Sequence, residues 1–338
     1  MSGGHSLTRI VAVTGGTGFV GRRLVKRHLG MGDRVRVLSR KRSEDSRLPS
    51  GTEVFCGDLT GDVNALEGFV DGADVLYHCA AELYAEKDMM HVNAEGTRNL
   101  AVAAACRIKR WVQLSSVAVY GRQPPGIVTE STPTGTCDNY PTTLSKLEAE
   151  RIVAEYAVSG GYEYSILRPC KIYGAGMRDD SLRRMADYVK RRLFFFIGKP
   201  GASANYVHVD NVVEALILCA ADPAARNRAF NLCDGFTLEQ LLNAIANEIG
   251  CPVPGRRLPQ KLVDILSAAA RLLLPGFPLT PERIAGLTSR TVYSAEAIRA
   301  LLGYTPVMSL EQGMAELLGS AQLERPYKEC LVSGDENR

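Results

Sequence analysis

Three glycines near the start of the chain have the spacing of a phosphate-binding turn. Gly15, Gly18 and Gly21 follow the pattern G-x-x-G-x-x-G. The stretch before them, 11–14, predicts a buried strand, and residues 22–29 have apolar side chains at helical spacing. In this arrangement the glycines permit a tight turn, a close pyrophosphate and a closely packed helix, whose N-terminus attracts phosphate. The spacing therefore predicts a dinucleotide site.

The end of the second predicted strand, 34–38, is basic. Dinucleotide-binding domains often place a carboxylate there for the adenosine ribose. Ser39 stands at that position, and Arg40, Lys41 and Arg42 follow it. A guanidinium can bind a 2′-phosphate with two hydrogen bonds, whereas a carboxylate would repel it. We therefore predict NADP, with NAD as the second candidate; a basic loop that only faces water is the alternative interpretation.

Strands and helices alternate over the first half of the chain. A third strand is predicted at 53–59, and its Asp58 can accept a hydrogen bond from an adenine amino group or cap a turn. Further strands are predicted at 74–81 and 110–116, with a long helix at 89–106 between them. This alternation predicts an α/β fold of the Rossmann type, a doubly wound parallel sheet.

Several motifs lie along the chain: Thr14-Gly15-x-x-Gly18-x-x-Gly21, Asp58-Leu59, His78-Cys79-Ala80-Ala81, Asn93-x-x-Gly96-Thr97, Ser115-Ser116-Val117-Ala118-Val119-Tyr120-Gly121, Arg168-Pro169-Cys170-Lys171-Ile172-Tyr173-Gly174 and Val207-His208-Val209-Asp210-Asn211. Together they resemble the extended short-chain dehydrogenase/reductase family, which includes nucleotide-sugar epimerases, dehydratases and 3β-hydroxysteroid dehydrogenases. Later motifs are Leu279-Thr280-Pro281, Tyr293-Ser294 and Leu302-Gly303-Tyr304-x-Pro306. With Val209-Asp210-Asn211, they are most similar to the 3β-hydroxysteroid dehydrogenase-like branch.

The resemblance implies a domain organisation. A dinucleotide-binding domain is expected over 1–175, with a return to the sheet at about 205–235. A smaller C-terminal substrate lobe is expected from 176–204 and 236–325. The helix within this return is predicted to begin near Asp210 and to be capped by Asp210 or Asn211. The polar residues 328–338 are expected to form a frayed tail.

The resemblance also implies the site residues. Ser116 is expected to bind the reacting oxygen, and Lys146 is expected to bind the nicotinamide ribose and lower the pKa of a neighbouring tyrosine. In family dehydratases acidic residues follow this serine, and here Val117 and Ala118 follow it, so dehydration is not expected. The expected cofactor-binding residues are Gly15, Thr17, Gly18, Phe19, Val20, Ser39, Arg40, Asp58, Leu59, Ala80, Ala81, Asn99, Lys146 and Cys170.

The chain departs from the family at the proton-transferring residue. A tyrosine is expected four residues before Lys146, on the same helix face, but Thr142 stands there. A threonine hydroxyl does not ionise near neutral pH. The nearest phenol is Tyr140, and Pro141 favours the first helical position, which would leave Tyr140 outside the helix with its direction unset by helical spacing.

Three explanations of this departure stay open. Tyr140 replaces the usual phenol; or another group carries the proton, such as Tyr84, Cys170, or Ser116 with a water; or the protein binds its cofactor without ordinary redox chemistry. Geometry decides between them before pKa does. As a lone residue, Cys170 is more simply explained as a small apolar wall of the nicotinamide pocket.

Composition limits the remaining possibilities. The chain has 338 residues with 40 basic and 37 acidic side chains, and this balance gives no indication of a nucleic-acid partner. Nine cysteines without a C-x-x-C pair fit a reducing, cytoplasmic location rather than a disulfide framework, and no metal site is predicted. The start of the chain lacks a signal-peptide apolar region, and no apolar run is long enough for a membrane span.

The expected function is oxidation or reduction of an alcohol or ketone with NAD(P). Two alternatives are a nucleotide-sugar epimerase with tightly held NAD and a non-catalytic NADP(H)-binding regulatory protein. A small-molecule substrate is the expected partner. By analogy with the family, a homodimer is expected through the helices that follow Asn93 and Thr142.

Overall fold

The computed structural model describes residues 8–40, 48–135, 140–273 and 279–319. A parallel sheet lies at its centre, with the strand order β7-β6-β5-β4-β1-β2-β3, which confirms the predicted doubly wound α/β fold. The seven strands are β1 (Ile10–Thr14), β2 (Arg34–Ser39), β3 (Glu53–Cys56), β4 (Val75–His78), β5 (Arg110–Leu114), β6 (Glu163–Pro169) and β7 (Arg228–Leu232).

Helices cover both faces of this sheet and build the rest of the described chain. The α-helices are α1 (Phe19–Gly30), α2 (Asn64–Val70), α3 (Glu86–Met89), α4 (Gly96–Ala104), α5 (Pro141–Gly160), α6 (Ser181–Lys190), α7 (Val209–Ala221), α8 (Leu238–Glu248), α9 (Gln260–Leu273), α10 (Pro281–Thr288), α11 (Glu296–Leu302) and α12 (Leu310–Gly319). Short 3-10 helices lie at Val117–Tyr120 and Pro223–Ala225.

Apolar side chains from the two sheet faces form separate cores. On one face, α1, α7 and α11 pack against the sheet around Leu24, Leu216 and Ile298. On the other face, α2, α4 and α5 pack around Trp111, the largest fully buried side chain. Because both faces are covered, the central strands are buried along nearly their whole length, as parallel sheets require.

A second lobe follows the sheet and has its own core. Helices α6, α8 and α12 bury their apolar faces against one another. Short strand pairs brace this lobe and the loops that lead to it. These pairs join Phe196–Ile197 with Arg257–Leu258, Ser203–Ala204 with Phe236–Thr237, Lys171–Tyr173 with Tyr206–His208, and Gly126–Val128 with Thr291–Tyr293.

Two local predictions need correction. The helix predicted at 89–106 is interrupted by a π-helical turn at Met90–Glu95, between α3 and α4. The residue that caps α7 is His208, whose ring accepts a hydrogen bond from the backbone N–H of Asp210. Asp210 and Asn211 lie inside the first turn of α7, and their side chains bind other parts of the chain, so neither of them is the cap. The predicted tail, 328–338, lies outside the described residues.

The cysteines are not all single. Cys170 and Cys233, 63 residues apart in sequence, form a disulfide between the ends of β6 and β7, with 5.4 Å between their Cα atoms. No disulfide framework was predicted, and this single pair does not constitute one. Sequence spacing could not reveal it, because β6 and β7 become neighbours only in the folded sheet. Within the described ranges, no helix combines the length and apolar character that crossing a membrane requires.

Candidate active site

The glycine turn joins β1 to α1 at the carboxyl edge of the sheet. Gly15 has a φ of +68°, and a Cβ on it would lie 2.7 Å from the backbone nitrogen of Ala80. A Cβ on Gly21 would lie 2.2 Å from the carbonyl oxygen of Gly15. Gly21 therefore lets the helix pack against the turn itself, rather than only against the sheet. The backbone N–H of Gly18 closes the turn onto the Gly15 oxygen at 2.9 Å.

The first turn of α1 suits an anionic group. Gly18 stands at its N-terminus without a side-chain cap, and the first turn carries no acidic residue. Phe19 and Val20 open this turn, and Thr17 lies directly before the N-cap glycine. A helix N-terminus of this kind, bare of side chains and close to a strand end, fits a pyrophosphate. The residues present thus fit a dinucleotide cofactor.

Two of the predicted nucleotide-binding residues, Arg40 and Asp58, lie near each other just after β2 and β3. Asp58 Oδ1 accepts hydrogen bonds from the backbone and the hydroxyl of Thr60, and these bonds, with the nearby charge of Arg40, lower the pKa of Asp58. Asn99 Nδ2 donates to the Leu59 carbonyl and holds this loop against α4. Asp58 therefore forms the predicted turn cap and stays ionised beside Arg40. Lys41 and Arg42 lie outside the described residues.

A buried hydrogen-bonded chain fixes the end of β4. The Thr14 hydroxyl lies 2.6 Å from His78 Nδ1, and His78 Nε2 lies 3.0 Å from the Thr97 hydroxyl, which donates to the Asn93 carbonyl. The N–H of Ala80 donates to Thr14 Oγ1, so the network also holds the small residues after the strand. Burial lowers the pKa of His78 to about 3, and Lys146 adds to this effect. His78 is therefore a neutral structural link.

Lys146 lies on α5 beneath the carboxyl edge of the sheet and is 5% exposed. Its ammonium donates to the Leu114 carbonyl at 3.3 Å. Burial lowers the pKa of Lys146 to about 8, although Cys79 and Glu150 act in the opposite direction. A surface-lysine role is excluded by this position. A buried ammonium with one carbonyl partner still has donors to offer a polar ligand.

Behind Lys146, a buried charge pair locks α5 onto the sheet. The Glu150 carboxylate accepts two hydrogen bonds from the Arg168 guanidinium, at 3.0 and 2.5 Å, and one from the Ser115 hydroxyl at 2.5 Å. Arg168 also donates to Tyr120 at 2.9 Å, and the Tyr120 hydroxyl donates to Asn231 at 2.8 Å. Because these residues come from β5, α5, β6 and β7, the network sets the position of Lys146 relative to the sheet.

Ser116 begins the 3-10 helix that follows β5. Its Oγ accepts the N–H of Ala118 at 3.1 Å, so the hydroxyl proton remains available for a ligand oxygen. Thr143, on the first turn of α5, is buried and donates to the Ala118 carbonyl at 3.0 Å. Thr143 thus ties the helix that carries Lys146 to the segment that carries Ser116, a role that the sequence analysis missed.

The first turn of α5 differs from the family pattern in the way the sequence predicts. The helix begins at Pro141, and Tyr140 stands outside it as the N-cap residue. Tyr140 is 55% exposed. The Thr142 hydroxyl is directed at Met89 Sδ, 3.4 Å away, and not at Ser116. Among the described residues, no side-chain hydrogen bond joins Tyr140 or Thr142 to Ser116 or Lys146.

Two other proton-carrier candidates lose support. Tyr84 is exposed, and its backbone N–H binds the Glu82 carboxylate in a loop. Cys170 is buried and its sulfur is bonded to Cys233, so it offers no thiol. Cys170 is therefore not supported as a proton carrier, and its position in the apolar wall of the nicotinamide pocket stays a prediction.

An ion cluster joins the two lobes outside this site. The Arg23 guanidinium, on α1, binds both Asp210 and Glu316, at 2.9 and 2.6 Å. His208 Nε2 lies 2.7 Å from Glu316, and burial lowers the pKa of His208. Atoms of His208, Asp210 and Glu316 that could bind a metal lie within 4.8 Å of one another. The Arg23 guanidinium already balances the negative charge of the two carboxylates. The cluster is an interlobe contact.

The two buried networks were not predicted from the sequence. His78 lies inside a recognised motif, and Ser115 and Glu150 lie beside predicted site residues. A buried polar residue within a strand is a signal that partners are needed. The partners, Thr97 and Arg168, lie in other motifs of the resemblance, but no local signal links them to His78 or Glu150.

Comparisons with known proteins agree with this fold. A 3β-hydroxysteroid dehydrogenase/Δ5→4-isomerase of Mycobacterium tuberculosis is 29% identical over 334 residues, covering 91% of this chain and 89% of that protein. A 4-hydroxy-2-methyl-3-oxo-4-farnesyl-3,4-dihydroquinoline-1-oxide ketoreductase of Stigmatella aurantiaca is 30% identical, with 67% and 69% covered. The solved structure of a short-chain dehydrogenase/reductase superfamily protein from Agrobacterium tumefaciens, with bound NAD, has a TM-score of 0.69 at 24% identity, covering 93% and 98%.

The family assignment follows from the match to a family model. The model of the NAD dependent epimerase/dehydratase family matches residues 11–233, which hold the glycine turn, the buried networks, Ser116 and Lys146. With that match and the sheet order described above, the chain belongs to the NAD dependent epimerase/dehydratase family of extended short-chain dehydrogenases/reductases.

Proposed function

We propose that the protein is an NAD(P)-dependent oxidoreductase that interconverts an alcohol and a ketone on an apolar substrate. The observation that carries this proposal is Lys146, a buried ammonium whose one hydrogen-bond partner among the described residues is the carbonyl of Leu114, two residues before Ser116 in the chain. The relatives named above support it, because one is a hydroxysteroid dehydrogenase and another is a ketoreductase of a farnesylated quinoline oxide.

The cofactor would be held along the carboxyl edge of the sheet. Gly15, Gly18 and the N-terminus of α1 would bind the pyrophosphate. Arg40 would pair with a 2′-phosphate, which favours NADP over NAD, and Asp58 would face the adenine. Lys146 would donate hydrogen bonds to the nicotinamide ribose. The bound nicotinamide supplies or accepts the hydride.

The chain's own residues would handle the reacting oxygen. The Ser116 hydroxyl already accepts a hydrogen bond from the Ala118 N–H, so it would donate its own proton to the substrate oxygen. Tyr140 is the proposed proton carrier, since its phenol is not tied to a helix face and Thr142 is turned toward Met89. Tyr140→Phe should then lower kcat by about 100-fold or more while the Kd for NADPH stays unchanged.

The direct test is reduction of a ketone panel by the purified protein with NADPH, followed by nicotinamide absorbance. We expect oxidation of NADPH with long-chain or steroidal ketones. Ser116→Ala should lower kcat and leave cofactor binding intact. If NADPH binds and no ketone is reduced, the proposal is wrong and a binding protein is favoured.

Lys146 gives a pH-dependent test. Its pKa is lowered to about 8, so its positive charge is lost as the pH rises through that value. NADPH affinity should therefore fall above pH 8 in the natural protein. Lys146→Met should weaken binding by about tenfold at pH 7 and remove this pH dependence. Lys26→Met, an exposed lysine on α1, is the control that should change neither quantity.

The departure at Thr142 favours one second candidate, a cofactor-binding protein without turnover. A nucleotide-sugar epimerase is the other alternative within the family. It would retain NAD through purification and interconvert UDP-sugars without net oxidation or reduction of added cofactor. The same preparation tests both, because bound NAD and sugar interconversion are measured on the purified protein before any cofactor is added.

A further inference from the structure

Helix α9 presents an apolar face to solvent. Leu262, Ile265, Leu266, Leu272 and Leu273, the apolar stripe, follow helical spacing and share one side of the helix. Ile265 is 68% exposed, Leu272 86% and Leu273 80%. Single exposed leucines are ordinary, but a continuous stripe along a helix marks an interaction surface.

The same helix is anchored in the second lobe by a different side. Val263 and Ser267 are buried, and Val263 packs with Ile197 and Ile284. The stripe therefore cannot turn inward to bury itself. Within the described ranges, no other element packs over it.

Unpaired cations lie beside the N-terminal end of the stripe. The backbone N–H of Phe196 donates to the Arg256 carbonyl. This bond places the segment that follows α6 beside the segment that precedes α9. The basic cluster consists of Lys190, Arg191, Arg192, Arg256 and Lys261, all exposed. Across the described chain, no carboxylate pairs with these five side chains. Residues 183–192 contain five basic residues and one acidic residue, and residues 256–273 contain four basic residues and one acidic residue. Both segments are therefore strongly basic, although the net charge of the whole chain is only +3.

We propose that the apolar stripe and the basic cluster dock the protein on an anionic lipid surface. An amphipathic helix with leucines on one side and cations at its border is the chemistry of interfacial helices. At 14 residues, α9 is about 21 Å long and cannot cross a hydrocarbon core of about 30 Å, so it would lie in the plane of the interface. Leu193, exposed beside the cluster, adds a further apolar contact.

A second copy of the chain is a poorer occupant. A twofold contact places the same surface on both subunits. It would add a second basic cluster of the same sign to the interface, whereas phosphate headgroups would neutralise the cluster. The charge pattern therefore favours lipid over self-association.

The test is co-sedimentation of the full chain with vesicles of phosphatidylglycerol and phosphatidylcholine, against vesicles of phosphatidylcholine alone. The natural protein should pellet with the anionic vesicles and not with the neutral ones. Ile265→Glu/Leu272→Glu should lower the partition coefficient by at least about tenfold. Leu301→Glu/Val307→Glu changes two exposed apolar residues elsewhere by the same charge and should bind as the natural protein does.

The cations are tested separately. Arg191→Gln/Arg256→Gln should weaken binding to anionic vesicles by about fivefold for each charge removed, and added salt should have a similar effect. Lys26→Gln/Arg228→Gln removes two exposed charges away from α9 and should leave binding unchanged.

Two results would overturn the proposal. One is a natural protein that stays in the supernatant with anionic vesicles. The other is a dimer, seen by sedimentation velocity, that dissociates in Ile265→Glu/Leu272→Glu while no variant pellets with lipid; the stripe would then be an interface between copies. Because the assay contains neither cofactor nor ketone, its result is independent of the proposed reaction.

Discussion

The glycine turn and the first turn of α5 lie in the same candidate site but are held in different ways. At the glycine turn, a single added Cβ on Gly15 or Gly21 would meet backbone atoms, and buried hydrogen bonds fix the neighbouring strand end. At α5, Tyr140 is exposed, and among the described residues the Thr142 hydroxyl is hydrogen-bonded only to the sulfur of Met89. The glycine turn, in the nucleotide half of the site, is thus fixed by packing, whereas the Tyr140 and Thr142 side chains, in the proton-transfer half, are not. Cofactor affinity and turnover should respond to different substitutions.

Breaking the charge pair behind Lys146 should have the largest effect on stability. Glu150→Gln leaves the buried Arg168 guanidinium without its countercharge, which costs about 3–5 kcal/mol in the free energy of unfolding. Urea denaturation measures this loss. On the same helix, Glu148→Gln removes partly exposed ion pairs with Arg98 and Arg151 and should cost about 1 kcal/mol or less. Equal losses in the two variants would mean that the buried network does not hold α5.

Restoring the family phenol is the strongest way to test the proton-transfer half. In the Tyr140→Phe background, Thr142→Tyr should restore the roughly 100-fold in kcat that loss of the proposed proton carrier costs, and it should leave the Kd for NADPH unchanged. Leu144→Tyr adds the same side chain at an exposed position of α5, two residues after Thr142, and should leave kcat unchanged. A Thr142→Tyr variant that binds NADPH but gains no turnover would contradict a merely weakened catalytic site.

A methyl group at Gly21 should damage the nucleotide half. Gly21→Ala places a Cβ 2.2 Å from the Gly15 oxygen and should destabilise the protein by about 1–3 kcal/mol, with NADPH affinity falling more than stability because the turn must open. Gly30→Ala, at the other end of α1, meets no atom within 4 Å and should be neutral or slightly stabilising. Thermal unfolding and calorimetry read both quantities. Unchanged NADPH binding in Gly21→Ala would break the comparison.

The neutral His78 link predicts a smaller effect on acid stability. The pKa of His78 is lowered to about 3, so between that value and the ordinary histidine pKa the unfolded chain binds a proton that the folded chain does not. Stability therefore falls with falling pH. Lowering the pH from 7.5 to 5.5 should cost the natural protein about 1.4 kcal/mol more than His78→Gln, measured by urea denaturation. An equal pH dependence in both proteins would show that His78 titrates normally.

Much of the nucleotide half could be predicted from the sequence, because its signals are local. The apolar strands, the glycine spacing and Pro141 at the start of α5 each act within a few residues. What the sequence could not provide depends on residues far apart in the chain. Thr142 turns to Met89, Glu150 pairs with Arg168, and Cys170 pairs with Cys233 only because the sheet brings them together.

The same limit explains the errors at helix ends. The π-helical turn at Met90–Glu95 has no sequence signature, and it interrupts what is otherwise a good helical pattern. Aspartate is a common N-cap residue. The Asp210 carboxylate binds Arg23 instead, and His208 caps α7. Local propensity was overridden by tertiary contacts in both places.

The central claim is a working dinucleotide site with a basic adenosine end, and isothermal calorimetry of the purified protein with NADPH and with NADH tests it most directly. The account predicts micromolar or tighter binding of NADPH, and binding of NADH weaker by about tenfold, since the 2′-phosphate pairs with Arg40. Equal affinities would show that Arg40 does not bind a 2′-phosphate, but the dinucleotide site itself would stand. Failure of both to bind would contradict the account.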